Sequence, residues 1–134
     1  MDVYSINMAE KKFTVFDLLE LELKDHDEMN LKCIAGRQGL TKALPVPNIN
    51  RPGLALSGFF ESFAYDRVQL FGRGEVAYLE KLHAEKKTDT LRKLFAFPVP
   101  CCIFTHSLNP TPEFIQIAEE SSCAVLQTNL ESTD

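Results

Sequence analysis

The sequence predicts an α/β domain, and two observations carry the prediction. Four short apolar runs, residues 31–35, 68–71, 101–105 and 124–126, have the length and composition of strands. From Arg67 onward, segments with apolar residues at helical spacing lie between these runs, each with a start or stop signal. Strand, helix and strand in alternation is the pattern of a layered α/β domain. A chain of 134 residues suits one such domain with its own core.

Residues 1–12 are polar and irregular and read as a disordered leader. Thr14-Val15-Phe16-Asp17 is a capping box with Asp in the place of Glu or Gln, which predicts a helix through about Leu21. Phe13, just before the cap, can staple onto Leu18. Asp25-His26-Asp27-Glu28 reads as a solvated acidic loop, because consecutive side chains cannot all face one ion. Gly36 ends the first strand. Gly36 to Lys42 has the letters of a phosphate loop in the wrong order, since Gly39 is followed by Leu40 and not by Lys, so it reads as a turn. Ala43-Leu44-Pro45-Val46-Pro47 is extended, and its prolines suit an edge or a crossing segment.

The densest stretch is Asn48 to Phe60. Pro52-Gly53 predicts a tight turn, with Pro at its second position and Gly at its third. Leu54 and Leu56 alternate as in a short extended entry. Ser57 is placed to cap a helix beginning at Gly58, with Phe59, Phe60 and Phe63 on its buried side. Arg51 is the one charge in this apolar block. Burying it alone costs several kcal/mol, roughly, so it calls for a carboxylate, with Glu75 or Glu61 first, or for loop carbonyls, or for a ligand.

Gly72 closes the strand at 68–71, and Gly72-Arg73-Gly74-Glu75 opens a helix with Val76, Leu79 and Leu82 on one side. Gly-x-Gly after a strand hints at a dinucleotide loop, but Ala77 stands where the third Gly belongs and no acid closes the pattern. Residues 88–96 form a helix with Leu91, Leu94 and Phe95 inward, ended by Pro98 and Pro100. Cys101 to Thr105 is a central strand. Thr111 caps the next helix and Pro112 takes its first position. His106 follows a strand at a place where α/β sheets often bind ligands, with Thr105 and Ser107 beside it.

A net charge of −5 without any block of one sign disfavours a nucleic-acid partner. No apolar run has the ~20 residues of a membrane span, and no secretory signal is visible, so a cytoplasmic protein is expected. Cys33, Cys101, Cys102 and Cys123 lack metal-site spacing and read as small buried hydrophobes, with Cys101 and Cys102 on opposite faces of one strand. No metal ligand set is expected.

Arg51-Pro52-Gly53-Leu54, Ser57-Gly58-Phe59-Phe60, Arg67-Val68-Gln69-Leu70-Phe71-Gly72 and Glu75, in this order and spacing, resemble the N-terminal domain of HPr kinase/phosphorylase. The resemblance covers residues 13–128. It implies a three-layer α/β/α unit with a mixed sheet of about five strands, similar to the N-terminal domains of Mur ligases. It implies that residues 129–134 begin a linker to a C-terminal kinase domain absent from this sequence. The catalytic residues are therefore expected beyond Asp134, and none within the chain. By the same resemblance the parent enzyme phosphorylates a serine of HPr, using ATP or pyrophosphate with magnesium, and reverses this by phosphorolysis. It would thereby regulate carbohydrate use through the phosphotransferase system, as a hexamer. The expectation is a regulatory or scaffolding domain, inactive alone and without a cofactor of its own. The alternatives are a sensor of a nucleotide or sugar phosphate, or a stand-alone protein interaction module. The candidate structural or ligand site is Arg51, Pro52, Gly53, Gln69, Gly72, Glu75, Thr105 and His106.

Overall fold

The computed structural model describes residues 12–24 and 30–131. The leader over residues 1–11 and the acidic run Asp25-His26-Asp27-Glu28 lie outside the described residues. So do Ser132, Thr133 and Asp134, the last three residues of the expected linker. In chain order the elements are α1 (Val15–Lys24), β1 (Lys32–Ala35), a 3-10 turn (Arg37–Gly39), β2 (Ile49–Asn50), α2 (Gly53–Leu56), β3 (Val68–Phe71), α3 (Arg73–Ala84), α4 (Asp89–Ala96), β4 (Cys101–Phe104), α5 (Pro112–Glu120) and β5 (Ala124–Gln127).

The strands form one mixed sheet in the order β1-β5-β4-β3-β2. β2 to β5 are parallel, and β1 pairs antiparallel with β5. From β2 to β5 the chain moves one strand at a time in one direction. Right-handed crossovers then place α2, α3, α4 and α5 on a single face. Strand alternation sorts the core accordingly. Phe71, Cys102, Phe104 and Val125 pack with the helices, whereas Val68, Cys101, Ile103, Ala124 and Leu126 face the other way, with Val15 of α1. The result is the three-layer arrangement expected, with one helix against four among the described residues. Cys101 and Cys102 point into different halves of the core, as alternation requires, and burial pushes both thiols up. Cys33 is only partly buried.

The helical face is held by aromatic rings. Phe71 and Phe104 stack with centroids 4.6 Å apart, and Phe114 of α5 meets them edge-on at 5.1 and 5.2 Å. Offset and edge-on pairs add to what burial alone contributes. On the opposite face the capping box at α1 is present: Asp17 N–H donates to Thr14 Oγ1 at 3.2 Å, and Thr14 N–H donates to Asp17 Oδ2 at 2.9 Å. The helix runs on to Lys24, beyond the expected end.

Several local expectations are overturned. Pro52 and Gly53 do not form the tight turn expected of them. Pro52 sits before the first helical residue (φ −86°, ψ 32°), and residues 53–56, expected to be extended, are a single helical turn. A proline there has φ already near the helical value and lacks only an N–H that the first turn leaves unbonded. Ser57 closes that turn instead of opening another, with its Oγ donating to the Leu54 carbonyl at 2.6 Å. Gly58 at φ +99° swings the chain away, and no helix starts there. Phe60 and Phe63 pack on Phe97, at 5.8 and 5.2 Å, not along a helix, and Phe59 is half exposed. Thr111 stands at the start of α5 with Pro112 in the first position, but its hydroxyl makes no capping bond.

The turn at 36–39 is tied to the loop before β5. Gly36 has φ +66°, and a Cβ there would lie 1.9 Å from the Cys123 carbonyl oxygen. Gly53, by contrast, has nothing within 4 Å of such a Cβ. Gly36→Ala is therefore expected to destabilise the fold by about 3 kcal/mol or more, from left-handed strain plus overlap with rigid backbone. Gly53→Ala is expected to leave stability unchanged or to raise it by up to about 1 kcal/mol. Thermal melts followed by circular dichroism check both.

Candidate functional site

In parallel sheets, side chains just past the carboxyl ends of the strands are drawn together by the strands' common direction. Arg51 follows β2, Gly72 and Glu75 follow β3, and Thr105 and His106 follow β4. Two polar arrangements occupy this rim, and a further one lies inside β3 and reaches the loop before it.

The first is built on Glu75. It lies in the first turn of α3, and its Oε1 accepts the N–H of Gly72 at 2.8 Å, satisfying a donor the helix start leaves open. The same oxygen accepts from Arg51 Nη2 at 2.7 Å. The Glu75 side chain is 11% exposed and that of Arg51 33%, so water screens this pair only in part. Arg51 thus meets the first of its two candidate acids, while Glu61 lines the same small cavity beside it. The carboxylate ties the end of β2 to the start of α3. It also sits where an anion complements the helix dipole.

The second is built on Gln69, which is fully buried within β3. Its Nε2 donates to the carbonyls of Ala64 and Arg67, both at 2.9 Å, and its Oε1 accepts from Asn50 Nδ2 at 2.8 Å. Both amide protons and the amide oxygen are therefore engaged. The side chain pins the loop before β3 to the sheet and clasps the edge strand β2.

The third surrounds Thr105, which is 4% exposed. Its Oγ1 donates to the Phe71 carbonyl at 3.2 Å and lies 2.8 Å from His106 Nδ1. With the hydroxyl proton given to Phe71, the imidazole Nδ1–H is the donor to Oγ1. His106 and Ser107 both have left-handed backbone, φ 56° and 53°. Their N–H groups donate to the carbonyls of Leu130 at 2.8 Å and Thr128 at 2.9 Å, which anchors the segment after β5.

The structure thus joins Arg51, Gly72 and Glu75 directly. It gives Gln69 a separate network, and it sets Thr105 and His106 one strand further along, with β3 between them and Arg51. Pro52 and Gly53 start α2 beside Arg51, where the cavity has a volume of only about 80 Å³. Sequence reasoning missed Asn50 and Gln127. Gln127 is 7% exposed and donates to the Leu108 carbonyl at 2.8 Å and to Asn109 Oδ1 at 3.0 Å. Its signal was there to find: a Gln closing an apolar strand run needs an internal partner. Among the described residues no cluster of His, Cys, Asp and Glu could hold a metal ion, and no helix is long and apolar enough to cross a membrane.

Arg51→Ala removes the cation that Glu75 faces. The expected cost is about 1–3 kcal/mol, a loss of several degrees in melting temperature. Neither phosphate, a nucleotide nor a sugar phosphate is expected to stabilise the parent chain. A variant that melts like the parent but loses stabilisation by one of these would assign Arg51 to a ligand.

Comparison with known proteins places this chain in a family. The family described as HPr serine kinase N terminus matches residues 21–134. The HPr kinase/phosphorylase of Treponema pallidum (strain Nichols) is 48% identical over 117 residues, covering 87% of this chain and 37% of that protein. That of Leptospira biflexa is 40% identical over 112 residues, 84% of this chain and 35% of the relative. The chain therefore spans little more than a third of the length of these curated relatives. A solved structure of the CBS and DRTGG domains of the regulatory region of Clostridium perfringens pyrophosphatase, complexed with the activator diadenosine tetraphosphate, aligns with TM-score 0.50. It covers 79% of this chain and 40% of that one at 13% identity, a likeness of fold alone. On the family match and these relatives, the chain belongs to the HPr serine kinase N-terminal family.

Proposed function

We propose that the chain is the N-terminal regulatory and scaffolding domain of a cytoplasmic HPr kinase/phosphorylase. The observation that carries the reading is the family match over residues 21–134, and relatives bearing that name extend well beyond this stretch. In this reading a C-terminal kinase domain, with its catalytic residues beyond Asp134, phosphorylates a serine of HPr with ATP or pyrophosphate and magnesium. The same domain removes the phosphate by phosphorolysis. The whole enzyme is a hexamer that adjusts carbohydrate use.

The described residues do not fit ATP with magnesium. Among them no acidic cluster is present to hold the ion. The loop holding the letters of a phosphate loop is a 3-10 turn, and Lys42 Nζ is spent on the Ser121 carbonyl at 3.1 Å. The residues of the candidate site serve one another. Glu75 is engaged by Arg51 and Gly72, and Gln69 by Asn50 and two carbonyls. A rim in that condition is suited to holding a surface in shape, and the domain's contribution is to position and regulate a partner domain.

Transfer of labelled phosphate from ATP to HPr tests the reading. The 134-residue chain alone is expected to give none above a mock preparation. A chimera in which it replaces the matching region of the Treponema pallidum relative is expected to phosphorylate HPr and to assemble as that relative does. Transfer by the isolated chain, or a folded chimera without activity, contradicts the proposal.

A further inference from the structure

His106 and Ser107, just past β4, are both left-handed, with φ 56° and 53°. Residues other than glycine visit that region as single positions. Two in succession persist only where the surroundings over-determine them, and strain of this kind gathers at segments with a task beyond folding. Here the pair turns two N–H groups toward the chain that leaves β5.

Gln127 is the last residue of β5, yet the chain stays held beyond it. The Thr128 N–H donates to the Phe104 carbonyl at 2.9 Å. The Ser107 N–H donates to the Thr128 carbonyl at 2.9 Å, and the His106 N–H to the Leu130 carbonyl at 2.8 Å. The Leu130 N–H donates to Thr128 Oγ1 at 3.2 Å. The stretch expected to begin a linker therefore starts under restraint.

The side chains around this turn are open to a partner. Leu130 is 45% exposed although its backbone is bonded through both N–H and carbonyl, and Ser107 and Asn129 beside it are exposed. An apolar side chain on an ordered backbone is a preorganised contact, because no loop has to be ordered when a partner arrives. His106 is half-buried, and its Nδ1–H is held by Thr105 Oγ1. Its Nε2 then carries a lone pair, and among the described residues nothing donates to it. A fitting surface brings an apolar hollow for Leu130 and an N–H donor for His106. The reading of the chain as the N-terminal domain of HPr kinase/phosphorylase supplies the partner, and the inference rests on it. In that reading a further domain follows residue 134, and the tether gives it a high effective concentration at this spot.

We propose that the His106–Ser107 turn and residues 128–130 form a latch for the domain that follows, with Leu130 set in an apolar hollow of that domain and His106 Nε2 accepting one of its N–H groups. The two domains are then held in one orientation and do not swing about a free linker. Hydrogen exchange read by mass spectrometry tests this, comparing the 134-residue chain with the chimera carrying the rest of the Treponema pallidum relative. Peptides over residues 105–108 and 128–131 are expected to exchange about tenfold more slowly in the chimera. Leu130→Asp in the chimera is expected to return them to the rate of the chain alone. The same substitution is expected to leave the melting temperature of the 134-residue chain unchanged, because Leu130 is exposed there. Equal rates in chain and chimera overturn the proposal, as does protection that survives Leu130→Asp. Phosphorylation of HPr by the same chimera is read separately. Transfer without added protection overturns the latch alone, whereas protection without transfer supports the latch and contradicts the kinase reading.

Discussion

One carboxylate fixes the geometry of the carboxyl rim. Glu75 Oε1 lies 2.8 Å from the Gly72 N–H and 2.7 Å from Arg51 Nη2. The first contact sets where α3 begins, and the second sets where the chain leaving β2 turns. Pro52 then starts α2 at once, because its ring permits no continuation of the strand partner's hydrogen bonding. Each of these follows from an acid three residues into a helix whose capping position is a glycine. Gly72 has no side chain with which to complete a reciprocal box, so the acid carries that end alone.

The rest of the architecture follows from direction. A chain that steps from β2 to β5 without reversing lays its crossover helices on one face, and Phe71, Phe104 and Phe114 fill that half. Among the described residues the opposite half has one helix, α1, and the loop at 40–44 against it. This asymmetry leaves apolar surface at β2, the strand farthest from β1. It also means that the parallel strands have no point where their order reverses, which is where open α/β sheets ordinarily bind ligands. A rim in which Glu75 is engaged by Arg51 and Gly72, and Thr105 by the Phe71 carbonyl, is consistent with that topology.

Four of the five strands, the core and the need of Arg51 for a partner, with Glu75 or Glu61 first, were legible in the sequence, because they rest on alternation and on the cost of burying a lone charge; β2, two residues long, was not. Nor was the central stretch. Pro-Gly carries two meanings, a turn or a helix start, and the choice rests on whether Gly53 must be left-handed, which only the tertiary path decides. The helix expected at Gly58 failed for a related reason: Phe60 and Phe63 have apolar neighbours at Phe97, far along the chain, and need no helical spacing to reach them. Thr111 shows the limit of capping signals, since the right residue at the right place makes no bond. Gln69 was found through the family resemblance, whereas Gln127 required taking a polar residue at the end of an apolar strand as buried.

The central claim is that Arg51 and Glu75 act on each other. A double-mutant cycle of Arg51→Ala, Glu75→Ala and the pair, followed by urea denaturation, measures that directly. The account predicts a coupling of about 1–2 kcal/mol, with the second substitution costing less once the first is made. Two costs that simply add would contradict it, and would mean that the contact at 2.7 Å contributes nothing to holding β2 against α3.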